Sequence, residues 1–321
     1  MRSAGWGRAT PTGADNIFTK ITEKVEDTMR AGKLPVDAIA GTVGFFGDPQ
    51  REAVVIAGLL ALIAQHSVAL AAEAAGRERD ARIENSDGAS IGSGESLSVY
   101  ANSHGFIGRE RDTQHTIGCA LIAGQGDAMQ RDGWYSTALS HRELEDPAAI
   151  GRKAAERTVA RLQPRSLATG EYPVLFSAEV ARSLVGHLLG AVSGGALYRK
   201  ASFLLDHVGQ RIFPDWFAIE ELPLLPHGLR SAAFDAEGVA TKRSHLIRDG
   251  VLERYVLGSY SARKLGLQTT GNAGGVHNLQ VKANAGGFDD LLAGMRTGLL
   301  VTELMGQGVN SVTGDYSRGA A

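Results

Sequence analysis

The chain has 321 residues, which exceeds the usual size of a single domain, so two domains are the first expectation. Its 33 Lys and Arg residues nearly balance its 35 Asp and Glu residues, and a net charge of -2 argues against a nucleic-acid-binding protein. The single cysteine, Cys119, excludes an intramolecular disulfide and a cysteine-based zinc site, so we expect a reducing, cytoplasmic setting.

The first part of the chain is predicted to be helical. Residues 1–13 contain no apolar run of the kind that a secretory signal has. One amphipathic helix is indicated by apolar residues at every fourth position, namely Ile17, Ile21, Val25 and Met29. A second, alanine-rich helix is expected at about residues 50–78.

The alanine-rich helix raises the question of a membrane span. Residues 53–72 contain no Asp, Glu, Lys or Arg, and their number just reaches the length of a bilayer span. However, Gln65 and His66 interrupt the run, and its many alanines contribute little transfer free energy. We therefore favour a soluble helix over a membrane helix.

Alternation of polar and apolar residues then predicts an antiparallel β-meander. Residues 97–101 have the pattern of a half-buried strand, and further strands are expected at 116–123 and 134–139. Clusters of Asn, Ser, Asp and Gly predict turns at residues 85–88 and 102–105.

The second half of the chain is predicted to mix short strands with helices. In chain order we expect a helix over 147–162 capped by Asp146, a linker over 163–172, a short strand over 173–176, a helix over 179–192 and a hairpin that turns at Asp249 and Gly250.

Taken singly, the sequence motifs give little evidence of a catalytic function. No His is followed by Glu, so the His-Glu-x-x-His zinc motif does not occur, and His187 stands alone among leucines. Residues 88–92 match the Gly-x-Ser-x-Gly pattern, but polar residues precede them where a nucleophile elbow needs a buried strand. Nucleotide-binding glycine motifs are also missing. The glycine-rich stretches 271–278 and 313–319 could line a peptide groove, although taken singly each is better explained as an ordinary turn.

Taken together, these stretches resemble one family, the PmbA/TldE branch of the TldD/PmbA proteins. The matching strings are GHLLGA at 186–191, YRK at 198–200, SYSARKLGL at 259–267, GNAGGVHN at 271–278, VTELMGQG at 301–308 and GDYSRGA at 314–320, with NSDGAS at 85–90 and MQRD at 129–132 upstream. The resemblance covers about residues 83–321.

The resemblance implies an α+β fold with two domains, an antiparallel sheet with helices followed by a β-rich domain. The implied limits are 68–165 for the rest of the first domain and 171–321 for the second, with residues 1–67 outside the resemblance. The second domain is expected to be incomplete, because the family continues into further β-structure. The resemblance also implies a cytoplasmic protein that acts in proteolysis and peptide maturation.

The TldD branch of this family carries a zinc motif, His-Glu with a second His four residues beyond the Glu. Here the corresponding positions hold Gly186, His187 and Ala191. The resemblance therefore implies a subunit that binds no metal and forms a heterodimer with a TldD-like zinc protease subunit, where the zinc is expected. A metallopeptidase in its own right is the alternative, and a membrane-tethered helical protein is a more distant one.

The remaining expectation concerns the substrate, which the resemblance implies to be an unfolded peptide. We expect contacts with it from His277, Asn278, Asp315, Tyr316 and Arg318, since these polar groups flank glycines that let a peptide backbone come close. The alternative is that Asp315 and Arg318 pair with each other and only fix their loop.

Overall fold

The computed structural model describes residues 65–282 and 286–321. These ranges have the predicted α+β fold. The amphipathic helix predicted around residues 17–29 and most of the alanine-rich segment 53–72 lie outside the described residues. Within the described ranges, none of the helices combines the length and the apolar character that a membrane span requires.

The first of two compact units comprises residues 65–92, 116–137 and 144–164 of the described chain. Its elements are helix α1 (65–79), strand β1 (Ile83–Ala101), strand β2 (Ile107–Ala123), strand β3 (Gln130–Ala138) and helix α2 (Pro147–Ala160), with the outer ends of β1 and β2 belonging to the second unit. The strands are hydrogen-bonded in the order β1-β2-β3, and short connections join them, so the predicted meander is confirmed.

The core of the first unit follows from the alternation of side chains along β2. Ile117, Cys119, Leu121 and Ala123 are buried, whereas the residues between them are only partly buried. Ile150 from α2 packs into the same hydrophobic cluster. The apolar face of β2 therefore holds the helix against the sheet.

Helix α2 begins where the sequence predicts it. The side chain of Asp146 accepts a hydrogen bond from the backbone N–H of Ala149 at 2.9 Å, and Pro147 occupies the first helical position. The helix approaches α1 very closely at Gly151, where an added Cβ would lie 1.8 Å from the carbonyl oxygen of Ala72. Only glycine fits this contact.

Two sequence predictions in β1 are wrong. The predicted turn at residues 85–88 lies inside the strand, because Gly88 takes a φ of 110°, which glycine permits, and the strand continues past it. The strand at 97–101 exists but is not half-buried, since Leu97 and Val99 are 69% and 65% exposed. Residues 88–92 are also extended, so no strand–turn–helix surrounds Ser90.

The second unit comprises residues 93–115, 138–143 and the described chain from 165 onward. Its helices are α3 (Ala178–Ala191), α4 (Gly194–Tyr198), α5 (Ser259–Lys264) and α6 (Phe288–Met295). Its further strands are β4 (Val174–Phe176), β5 (Ile219–Glu221), β6 (Ser244–Arg248), β7 (Val251–Leu252), β8 (Leu279–Val281), β9 (Leu299–Val301), β10 (Leu304–Met305) and β11 (Gly319–Ala320).

A four-stranded sheet organises the second unit, with strand order β7-β6-β5-β8. All its neighbouring strands are antiparallel. The predicted hairpin is confirmed between β6 and β7, although its strands are shorter than expected, and both Asp249 and Gly250 have positive φ as a tight hairpin turn requires. Ile219, Leu246 and Leu252 bring this sheet into one hydrophobic core with α3 and α4.

Candidate functional site

A large apolar cavity opens beside helix α3 in the second unit. Its volume is about 1030 Å³, and its walls come from α3, from β5 and β8 and from several loops. The apolar side chains that line it include Leu184, Val185, Leu188, Phe213, Phe217, Ile219, Leu279 and Val281. A cavity of this size and character is typical of a ligand-binding site.

Helix α3 presents bare backbone to this cavity at two glycines. Gly186 and Gly190 both line it, and a Cβ added to either would meet no heavy atom within 4 Å. Glycine within a helix costs about 1 kcal/mol relative to alanine. The helix therefore forgoes stability at two positions one turn apart, and it leaves its backbone accessible from the cavity.

A buried carboxylate, Glu221, lies at the end of β5 next to the cavity. Its side chain is 2% exposed, forms an ion pair with Arg254 and is hydrogen-bonded to Nδ1 of His277. One carboxylate oxygen also accepts hydrogen bonds from the backbone N–H of His277 at 2.7 Å and from the Asn272 amide at 2.8 Å. The Arg254 guanidinium in turn donates hydrogen bonds to the Ser244 hydroxyl and to the side-chain oxygen of Asn272, each at 3.1 Å. Every charge in this network therefore has a partner.

These contacts decide the ionisation of Glu221. Burial alone would raise the pKa of its carboxyl, but hydrogen bonds from the side chain and backbone of His277, the charge of Arg254 and the Asn272 amide outweigh burial and hold the pKa below its ordinary value. Glu221 is thus a carboxylate at neutral pH. A sequence pattern could not have identified it, because Asn272 and His277 lie 51 and 56 residues further along the chain.

The carboxylate fixes the orientation of His277, which lines the cavity. Nδ1 of His277 lies 2.8 Å from a Glu221 oxygen. Because an ionised carboxylate only accepts hydrogen bonds, Nδ1 carries the hydrogen of this contact. Nε2 makes no hydrogen bond within the described chain, so that nitrogen is available to a bound molecule.

Asn278, the second predicted peptide contact, holds a loop of the protein itself. Its amide donates to the Leu222 carbonyl at 3.1 Å and to the Ser231 hydroxyl at 2.8 Å. Its oxygen accepts from the backbone N–H of Arg230 at 2.9 Å. Asn278 does not line the cavity, but it fixes Arg230, which does.

The other three predicted contacts, in the last ten residues, lie outside the cavity lining. Asp315 accepts a hydrogen bond from the Thr313 hydroxyl at 2.6 Å, and Arg318 donates to the Met305 carbonyl at 3.0 Å, so the two side chains make separate contacts. The rings of Tyr316 and His187 pack edge to face, with their centroids 5.7 Å apart. The structure thus brings His187 and Tyr316 together but leaves His277 apart from this group.

The three degenerate zinc-motif positions do not fit a zinc ion. Gly186 has no side chain, and Ala191 is 1% exposed within the hydrophobic core. The ring of His187 packs against Tyr316. Within residues 65–282 and 286–321, no three His, Cys, Asp or Glu side chains are grouped so that they could hold a metal ion.

Comparison with known families matches most of the chain. Residues 59–162 match the family model of the PmbA/TldA metallopeptidase central domain, and residues 169–321 match that of the PmbA/TldA metallopeptidase C-terminal domain.

Individual relatives agree with this. The Metalloprotease PmbA of Escherichia coli O157:H7 is 48% identical over 254 residues, which are 79% of this chain and 56% of that protein. A Metalloprotease PmbA homolog of Haemophilus influenzae is 47% identical over 255 residues, which are 79% of this chain and 56% of that protein. The chain therefore spans little more than half the length of these relatives. Among solved structures, a suggested modulator of DNA gyrase from Bacteroides thetaiotaomicron superposes with a TM-score of 0.76 at 31% identity, over 80% of this chain and 58% of that one.

Proposed function

The chain belongs to the PmbA/TldD metallopeptidase family, and from this premise we propose that it is a metal-free, PmbA/TldE-like subunit of a TldD/PmbA-type protease complex. In this proposal a TldD-like partner carries the zinc, and this chain binds part of an unfolded peptide in cytoplasmic proteolysis and peptide maturation. The relatives matched over half their length bear metalloprotease names. A metallopeptidase in its own right is therefore the alternative to be tested.

One observation favours a metal-free subunit over a metallopeptidase in its own right. At the positions where the TldD branch has its two histidine ligands, this chain has Gly186 and Ala191. Ala191 is packed in the core, and its environment has no room prepared for a ligand. Three protein ligands are typical of a catalytic zinc site, and this helix supplies neither of the two it would contribute.

The peptide-binding role is supported by the cavity and by His277. A subunit that does no chemistry can still hold a substrate in an extended form, through backbone hydrogen bonds and apolar pockets. His277 is fixed by Glu221 and lines such a pocket. Asn278, Asp315, Tyr316 and Arg318 remain proposed contacts outside the cavity.

The proposal is tested by purifying this chain with a TldD-like zinc subunit from the same organism and measuring cleavage of an unfolded protein. We expect the two to elute together and the mixture to cleave at least about tenfold faster than this chain alone. Replacing His277 by alanine in the complex should slow cleavage without releasing the partner. The matched control is His245→Ala, which removes a histidine of strand β6 that does not line the cavity.

Two results would contradict the proposal. If the chain alone cleaved as fast as the mixture, it would be a metallopeptidase in its own right. If the two proteins eluted separately and mixing changed nothing, the heterodimer would be wrong.

A further inference from the structure

A second cavity of the second unit lies apart from the larger one beside α3. Its volume is about 480 Å³, which is within the range of small-molecule sites, and it shares no lining residue with the larger cavity. The segment that follows β7 contributes to both, since Tyr255 and Leu257 line the second cavity and Val256, between them, lines the larger one. A molecule bound in the second cavity would therefore leave the proposed peptide site open.

Aliphatic side chains form much of the wall of the second cavity. They come from the loop after α4, from the segment after β7, and from the end of α5 and the loop beyond it, namely Leu205, Val208, Leu257, Leu265 and Leu267. Val208 and Leu267 are 45% and 49% exposed, so apolar surface is open to a ligand. Covering this surface with an apolar group is favourable, because it removes the surface from water.

The charged residues of the second cavity carry an excess of negative charge. Asp206, Glu253 and Arg254 are the charged residues among its described lining. Arg254 is neutralised by Glu221, which does not line the cavity. Glu253 pairs with Arg248 at 2.9 Å, and Arg248 also lies outside the lining. The carboxylate of Asp206 makes no hydrogen bond or ion pair within the described chain, and only its backbone carbonyl is bonded. A positively charged group complements this arrangement.

Asp206 lies in a loop whose backbone is held in place. The Tyr255 hydroxyl donates a hydrogen bond to the Leu204 carbonyl at 2.9 Å and accepts one from the His207 N–H at 3.1 Å, on either side of Asp206. The Gln210 side chain donates to the Asp206 carbonyl at 2.9 Å. The cavity wall is thus built before a ligand arrives, so binding would cost little ordering of the loop.

We propose that the second cavity binds a small primary amine with an apolar body. The ammonium group lies at Asp206 and Glu253, whose carboxylates accept its hydrogen bonds, and the apolar body lies against the aliphatic wall. An alkyl amine keeps its charge at neutral pH, so it supplies the positive charge that balances Asp206. This site goes beyond the proposed function, because it requires neither a peptide nor a partner subunit.

The test uses the full chain without any partner and phenethylamine as the probe, with isothermal titration calorimetry as the measurement of Kd. Two matched compounds separate the charge from the apolar body. Phenethyl alcohol has the same ring without the charge, and ethylamine has the charge without the ring. We expect each to bind at least about tenfold more weakly than the probe. Added salt should weaken binding of the probe, because it screens the charges at the cavity.

Variants locate the amine on the protein. Asp206→Asn removes the charge and keeps the shape, and asparagine tolerates the positive φ of 61° at this position. It should weaken binding at least about tenfold. Asp215→Asn is the matched control, since Asp215 is exposed in the same unit and does not line the cavity, so binding should stay unchanged. Val208→Ser should weaken binding through the apolar wall. Circular dichroism checks that each variant is folded.

The proposal is overturned if the alcohol binds as tightly as the amine, if Asp206→Asn has no effect, or if Asp215→Asn weakens binding equally. Absence of saturable binding up to about 10 mM amine would also overturn it. A lysine-rich peptide that binds at Asp206 while the amine does not would assign the cavity to a basic protein segment instead. Because the assay involves neither cleavage nor a partner, its outcome is separate from that of the proposed heterodimer.

Discussion

Replacing Glu221 by alanine should lower the free energy of unfolding by about 3–5 kcal/mol, because it removes one member of a buried, fully paired charge network. Arg254 and His277, whose side chains are only 15% and 10% exposed, would lose the carboxylate that they contact, and the Asn272 amide would lose its acceptor. The loss therefore comes mainly from the charge left unpaired. Urea unfolding at neutral pH, followed by fluorescence, measures it.

Glu220 provides a matched control on the same strand. Its carboxylate pairs with Arg243, whose side chain is 72% exposed, and exposed pairs of this kind contribute little to stability. Glu220→Ala should therefore change the free energy of unfolding only slightly. Equal effects of the two substitutions would show that the network around Glu221 does not stabilise the fold.

The difference between the wild-type chain and Glu221→Ala should also depend on pH. The pKa of Glu221 lies below its ordinary value of 4.5 only in the folded chain, so the unfolded chain takes up its proton first as the pH falls. The stabilisation is thus fully present above that value, and it is lost as the pH falls through the lowered pKa. A difference that grows on acidification would have the wrong sign for this account.

Replacing Gly151 by alanine should destabilise the first unit by about 1–3 kcal/mol or more, the usual cost of overpacking a core. The new Cβ would lie 1.8 Å from the Ala72 carbonyl oxygen and 2.9 Å from the Gly76 nitrogen. Both are backbone atoms of α1, so no side chain can turn aside, and the two helices must separate. The midpoint of thermal unfolding measures the effect.

The matched control is Gly294→Ala, in helix α6. A Cβ at Gly294 meets no heavy atom within 4 Å, and alanine is a better helix former than glycine. This substitution should leave the stability unchanged or raise it by up to about 1 kcal/mol. If Gly151→Ala behaved like the control, α1 and α2 would not pack as closely as described.

Local signals were sufficient to predict much of the fold. Asp146 followed by Pro147 predicted the start of α2, and Asp249 with Gly250 predicted the β6–β7 hairpin, because caps and tight turns depend on adjacent residues. The same reasoning failed at residues 85–88. There turn-forming residues occur inside β1, and pairing with the neighbouring strand decides the conformation.

The candidate site was predicted less completely, for a physical reason. The glycine-rich stretch around His277 predicted a peptide contact, and His277 does line the cavity. Glu221 and Arg254 have the sequence context of ordinary surface charges, and only the folded sheet joins them to each other and to His277.

The proposed division of labour in the complex requires that this chain hold no zinc of its own. The decisive measurement is the zinc content of the chain, purified alone, incubated with excess zinc and then dialysed, beside the same measurement on its complex with a TldD-like subunit. Because Gly186 and Ala191 offer no ligand atoms, we expect far less than one zinc per chain alone and a zinc content in the complex that follows the partner. One tightly held zinc per chain in the absence of the partner would contradict the account.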